Sequence, residues 1–421
     1  MNNEFNGPPK ARKLMSHRTG ASYCDLHHGP AASVRSDSLR AGRPQRASEE
    51  SIRRIRAYVG TYSSPPGNGK GIHVFDMNPL TGALGEREVL LNAENPSWID
   101  FHPNHKHLYA VNEIHNFGGV ESGSVSAFNI NPSTGGLALL NTVSSEGREP
   151  AHLSVHPSGR YVLVANYAGG SVAVLPIGTA GELGPATDVK KDLGRVGGYR
   201  ARGAPIGSFA ICGHDSPHAH MIRCDPLGRH VLHTDLGMDR IFVWTLDLEK
   251  GKLVANDPPS VPIPSGHGPR HFTFHPNGHW IYSLQEEAST VTLFYYDAES
   301  GRLSPRQTVS SLPTGFAGTN FASDLRISRD GRFLYAANRV HDSISWFFIG
   351  KDGTLAFVGE EWTRGDYPRS FSFDPTEKFL YCCNERADAV AIFERDVDSG
   401  KIGFTGRYVP VGSPVVILFL S

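Results

Sequence analysis

Short apolar runs alternate with polar breaks through most of this chain, and the same unit recurs seven times. Each copy holds an apolar strand, a polar break, a second strand with period-two alternation, and a turn written Thr/Ser-Gly-x-Leu or close to it. The first reads YVGTY…GIHVFDMNPLTGAL from Tyr58, and the last LYCCNERADAVAIFERDVDSGKI from Leu380. The turn glycines are Gly82, Gly135, Gly181, Gly251, Gly301, Gly353 and Gly400. A strand-built repeat of about 50 residues predicts radial blades. The expected fold is therefore all-β, a seven-bladed β-propeller over residues 55–421.

A further short strand precedes most copies, opened by Pro and closed by His-Pro or Asp-Pro. It reads PSWIDFHP (96–103), PAHLSVHP (150–157), AHMIRCDP (219–226), PRHFTFHP (269–276) and PRSFSFDP (368–375), with SDLRISRDG (323–331) as a copy without its Pro. The first copy, from Ala57, has no such strand upstream. The C-terminal VGSPVVILFLS matches the missing piece, so Ser413–Leu420 is expected to complete blade one and close the ring. Closure removes the open sheet edge.

One interval breaks the rhythm. Gly181 and Gly251 are 70 residues apart, against 46 to 53 elsewhere. The surplus, about 183–217, is rich in Gly, Lys, Arg and Asp and is expected to be a long loop reaching the site face. Residues 1–54 lack alternation and are rich in Arg, Ser, Gly and Pro, which predicts a disordered tail. An organellar transit peptide is the sharper reading, and Glu4, Asp25, Asp37, Glu49 and Glu50 count against it. The chain carries 41 basic and 42 acidic residues, a balance that gives no attraction to nucleic acid or membrane. Its longest C-terminal apolar run, Val415 to Leu420, is strand length. Cys24, Cys212, Cys224, Cys382 and Cys383 fit no disulfide or zinc spacing, so reduced thiols in the cytoplasm are expected.

Antiparallel pairing puts the start of each Pro-opened strand and the end of the next strand at one end of the blade. Those positions form one rim around the channel mouth. It gathers His152, His218, His220, His271, Arg270, Arg339, Arg369, Asp235, Glu286 and Asn384. For Asp235, Asn384 and the other Asn and Asp at strand ends, the plainer role is capping the following turn. For the arginines it is surface charge, although three related positions favour bidentate grip of phosphate or carboxylate. His102, His156 and His275 hold the repeat's own His-Pro place and are expected to be structural. His218-x-His220 is half a metal site without a clear third ligand, and neither metal nor other cofactor is expected.

The residues PAH…HP, NYAGGSV, SPHAH, DLGMDRI, GPRHFTFHP, LYAANR.HDSI and YPRSFSFDP, in this order, resemble the 6-phosphogluconolactonase family of seven-bladed propeller lactonases. Fungal carboxy-cis,cis-muconate cyclases share much of the pattern. The resemblance covers about residues 57–420 and departs at 183–217 and in the N-terminal extension. It implies a small anionic lactone as partner and hydrolysis of 6-phosphogluconolactone. On that reading Glu286 or His152 is the general base, with His220 or His271 as alternatives. Arg270 polarises the carbonyl, while Arg339 and Arg369 hold the anionic end, with His218, Asp235 and Asn384 as further binding candidates. Lactone formation from a muconate uses the same cations on carboxylates, and a non-catalytic propeller scaffold is the reading outside enzymology. The expected state is a monomer or weak homo-oligomer.

Overall fold

The computed structural model describes residues 55–91, 93–208 and 213–421; the expected N-terminal tail, Cys24 and Cys212 lie outside them. Residues 53–421 form one compact unit. Its described residues hold 28 strands in seven four-stranded antiparallel sheets, with a 3-10 turn at Glu385–Ala387. Blade one consists of β1 (Ile55–Thr61), β2 (Ile72–Met77) and β3 (Leu84–Leu90), with β28 (Pro414–Leu420) as its innermost strand. Arg56 faces Leu420 and Thr61 faces Pro414, so the C-terminus closes the ring. The other innermost strands are β4 (Ile99–Phe101), β8 (Pro150–Val155), β12 (Ala219–Cys224), β16 (Pro269–Phe274), β20 (Phe321–Ile327) and β24 (Pro368–Phe373). No helix among the described residues is long and apolar enough to cross a membrane.

Burial follows position in the blade. The second strands β9 (Tyr161–Asn166), β13 (His230–Asp235) and β25 (Phe379–Asn384) are covered on both faces by neighbouring blades and bury every residue. The outermost β3 leaves its middle exposed. A tyrosine on most second strands latches the next blade. Tyr109 donates its hydroxyl to the Gly181 carbonyl at 3.0 Å, Tyr282 to Gly353 at 2.7 Å, and Tyr381 to Gly82 at 2.8 Å, from blade seven round to blade one. Gly353 has φ 83°, and a Cβ there would stand 2.7 Å from the Trp280 ring. The turn thus needs glycine for its left-handed backbone and for the closeness of the preceding blade. His102 and His275 bond the carbonyls of Gly159 and Gly331 in neighbouring turns, the structural role expected of them.

The innermost strands share an irregularity that the alternation did not predict. In β8, β12, β16 and β24 the pairing skips one residue: Ala151, His220, Arg270 and Arg369. β20 bulges across Ser323 and Asp324. Pairing between β1 and β28 skips Val415. A bulge leaves its extra residue out of the ladder and re-aims the side chain. Recurring at one level of adjacent blades, it builds a ring of freed side chains.

The surplus stretch departs from the expectation of a loop over 183–217. Asp188–Lys191 is β11, the outermost strand of blade three, which the hydrophobic pattern conceals because three of its four residues are charged and its one apolar residue, Val189, is exposed. The segment after it docks onto other blades: Gly197 donates its N–H to the Gly237 carbonyl at 2.7 Å, and Ile206 bridges to Ala317. His214 lies buried between Asp239 (3.1 Å) and Glu287 (3.2 Å).

Candidate active site

Three bulge residues, Ala151, His220 and Arg369, line a cavity of about 210 Å³ together with Glu113, Glu149, Tyr167, Glu286, Phe321, Arg339 and Tyr367. A narrow extension continues inward past Tyr62, Ser97, Trp98, Arg270, His271 and Val415. The size of the cavity suits one small molecule.

Two cationic groups are held by one carboxylate. Glu286 Oε2 lies 2.8 Å from Arg270 Nε and 2.7 Å from Arg339 Nη2. The Arg270 Nε–H does not point along that contact, which is therefore an ion pair more than an aligned hydrogen bond. Arg270 also donates through Nη1 to the Ser323 carbonyl and, at 3.3 Å, to His271 Nε2. Arg369 Nη2 donates to the Tyr62 hydroxyl at 2.6 Å, and Tyr62 donates to both oxygens of Glu113 at 3.0 Å. The Arg339 guanidinium lies over the Tyr367 ring, 5.1 Å from its centroid.

Below the ring a second layer packs. Trp98 lies 4.5 Å from His152 and 5.2 Å from His271, centroid to centroid, and His271 lies 5.2 Å from His220. His271 Nδ1 is 2.9 Å from Asp324 Oδ1, and Asp324 Oδ2 is 3.3 Å from Arg326.

The electrostatics follow from burial and like charge. Burial, then the cations Arg270, Arg369 and Arg339 and the His271 ring, hold the His220 pKa well below the usual imidazole range. Its Nδ1 is buried with no hydrogen-bond partner among the described residues. Burial and Arg270 bring His271 down to about 4, against the pull of Asp324. Burial, with Arg339 and Arg369 nearby, lowers Arg270 to about 10. Burial raises the Glu113 carboxyl, only partly opposed by Arg369.

The rim positions do not all meet. His220, Glu286, Arg339 and Arg369 line the main cavity, and Arg270 and His271 its extension. His152 is buried in the layer beneath, against Trp98. His218 is turned away, stacked on Tyr167 at 4.3 Å with its nitrogens on the Tyr167 carbonyl and Asp215. No group of three or more potential metal ligands occurs among the described residues, so His218 and His220 gain no third partner there. Asp235 accepts the N–H groups of His218 and Met238 and so caps its turn, the plainer role considered for it, whereas Asn384 makes no cap hydrogen bond to the turn that follows it and donates instead to the Thr363 carbonyl.

Sequence reasoning passed over Glu113, Tyr62 and Asp324, which stood at rim positions but carried no role. Glu149 and Tyr367 precede the strand-opening prolines, two residues before the rim was taken to begin. Both adopt left-handed backbone, φ 49° and 63°, a strained state for a non-glycine residue that turns the chain into the mouth. Asn95 and Ser413 repeat this corner before Pro96 and Pro414, so the Pro itself was the available signal.

Comparison with known proteins agrees with this architecture. The family described as "Lactonase, 7-bladed beta-propeller" matches residues 56–419. A 6-phosphogluconolactonase of Bacillus subtilis is 33% identical over 364 residues, 86% of this chain and 97% of that protein. A putative 6-phosphogluconolactonase from Bacteroides fragilis superposes with a TM-score of 0.79 at 32% identity, covering 89% of this chain and 100% of that one. A periplasmic gluconolactonase of Pseudomonas aeruginosa superposes with a TM-score of 0.78 at 33% identity, over 87% and 99% of the two chains. With seven blades, a ring closed by the C-terminal strand and a match spanning nearly every described residue, this chain belongs to the seven-bladed β-propeller lactonases.

Proposed function

We propose that the cavity hydrolyses a small anionic sugar lactone, 6-phosphogluconolactone, to 6-phosphogluconate. The observation that carries this reading is the convergence of Arg270, Arg339 and Arg369 with a neutral imidazole, His220, on one small cavity in a lactonase chain. Arg339 and Arg369 hold the phosphate, and Arg270 meets the carbonyl oxygen. Because burial, reinforced by the surrounding cations, keeps His220 neutral, it is available to accept a proton from water as the water oxygen attacks the carbonyl carbon. Arg270 stabilises the resulting oxyanion. Collapse breaks the ring C–O bond, and the proton held by His220 passes to the departing ring oxygen, leaving a hydroxyl and a carboxylic acid that loses its remaining proton to solvent to become the carboxylate. Glu286 keeps two guanidinium groups from repelling one another before substrate arrives. All these groups come from one chain, so a monomer suffices. We assign the reaction to the cytoplasm, a setting compatible with the free, buried thiols of Cys224, Cys382 and Cys383.

The test offers purified protein freshly generated 6-phosphogluconolactone, unphosphorylated gluconolactone and 3-carboxymuconate, and follows acid release or lactone absorbance. Ring opening of 6-phosphogluconolactone well above its spontaneous rate is expected. No acceleration of that substrate, or turnover confined to the muconate, overturns the proposal.

A further inference from the structure

Asp324 does not line the cavity but is buried beside it, its Oδ1 hydrogen-bonded and its Oδ2 in ion-pair contact alone. Its Oδ1 faces His271 Nδ1 at 2.9 Å and accepts the Leu325 N–H at 2.9 Å, while its Oδ2 faces Arg326 Nη2 at 3.3 Å. Burial pushes this carboxyl upward, but Arg326 and the hydrogen bond from His271 outweigh it and keep the group ionised. A carboxylate accepts only, so the proton of neutral His271 sits on Nδ1. The other nitrogen, Nε2, then presents a lone pair, and what it meets at 3.3 Å is the N–H donor Nη1 of Arg270.

We infer that Asp324 is a positioning residue for the lactonase reaction: it fixes the His271 tautomer whose Nε2 accepts from Arg270, and so orients the Arg270 guanidinium at the cavity. The chain of contact runs Asp324, His271, Arg270, from the bulge of blade six to the bulge of blade five. With Nη1 held by His271 and the Ser323 carbonyl and Nε by Glu286, Nη2 is the nitrogen left to face substrate. In the opposite tautomer an Nε2–H would confront the Nη1–H, and the guanidinium would turn away. The groups facing His271 are Arg270, Asp324, Arg326, His152 and His220, and Asp324 is the one carboxylate among them.

This inference rests on Arg270 acting at the carbonyl, and its test has a reading that does not. In nitrogen-15 NMR of selectively labelled protein, His271 is expected as the Nδ1–H tautomer, changing to Nε2–H in Asp324→Asn, whose amide donates to Nδ1. An Nε2–H ring in the unmodified protein overturns the inference, whatever substrate is hydrolysed. In kinetics, Asp324→Asn is expected to lower kcat about 10- to 100-fold with KM within about threefold, since Arg270 acts on the transition state. In a His271→Ala background the same change is expected to cost less than about twofold more, because residues acting through one another are not additive. Equal costs in both backgrounds, or a loss confined to KM, also overturn it. If Asp324→Asn does not fold, Asp324→Ser, which removes the acceptor and leaves room for water, serves in the same comparisons. Absence of lactone turnover in the unmodified protein counts against the proposed activity alone.

Discussion

At the scale of single residues, the site is a set of charges forced together and then restrained. Arg270 bears the largest burden: it is buried, faces two other guanidinium groups, and leans on Glu286. Arg270→Ala is expected to lower kcat about 100-fold, the usual effect of losing one oxyanion donor, with the melting temperature within a few degrees of the unmodified protein. Near-normal turnover would show that another group meets the carbonyl. The pH dependence is set by His220, which must be neutral to accept a proton. Since burial and three arginines hold its pKa well below the usual range, kcat/KM is expected to stay flat as pH falls through about 6.5 and to decline only further into acid. An acid limb centred at or above about 6.5 in the kcat/KM profile would exclude His220 as the base. The sequence supplied the residue types here but not their partners. That Arg270 and Arg339 share Glu286, while Asp235 accepts backbone N–H groups and Asn384 donates to the Thr363 carbonyl, depends on side-chain direction. Period-two alternation could not reveal it, because a bulge breaks the period at Arg270 and the other residues named lie at or beyond strand ends, where the period stops.

At the scale of elements, the strands and turns were legible because each blade repeats the same demands, and repetition exposes them. The left-handed turn glycine recurs because two constraints coincide there, a positive φ and a neighbouring blade's side chain. Gly353→Ala must pay both, so it is expected to destabilise the protein by about 2 kcal/mol or more, read as a lower midpoint in denaturant. An unchanged midpoint would mean that the turn relaxes away from Trp280. The segment after β11 was legible only as an interruption, since its anchors are single contacts without periodicity. The firmest is His214. Burial disfavours its charged ring, yet Asp239 and Glu287 more than offset this and raise its pKa to about 10. Its unfolded pKa is about 6.5, so the stability it supplies is complete below that pH and is lost as pH rises toward 10. His214→Gln is therefore expected to lower the melting temperature most below pH 6.5, the difference from the unmodified protein narrowing toward pH 10. A difference constant across that range would show that the ring is held uncharged.

At the scale of the whole molecule, the ring depends on its last strand. A propeller with one blade short of its inner strand presents the open edge of β1, Ile55–Thr61, whose seven residues are all buried. β28 covers that edge over the full length of the strand and also supplies Val415 to the ring of bulge residues at the mouth. It further packs against β24 of blade seven, where Ser370 donates its hydroxyl to the Val415 carbonyl at 2.7 Å. Closure and site geometry thus meet in one segment, and Val415 belongs to both. Removing residues 414–421 would expose a buried strand, free blades one and seven to separate, and open the inward extension of the cavity. The truncated protein is expected to lose its cooperative thermal transition and to give no lactone turnover above the spontaneous rate. Adding a peptide of sequence PVVILFLS should restore part of both if the remaining blades stay folded, because the missing strand pairs through backbone hydrogen bonds that a separate chain can supply. A truncated protein that melts cooperatively near the unmodified temperature without peptide would show that six complete blades and an unclosed first blade hold the ring unaided.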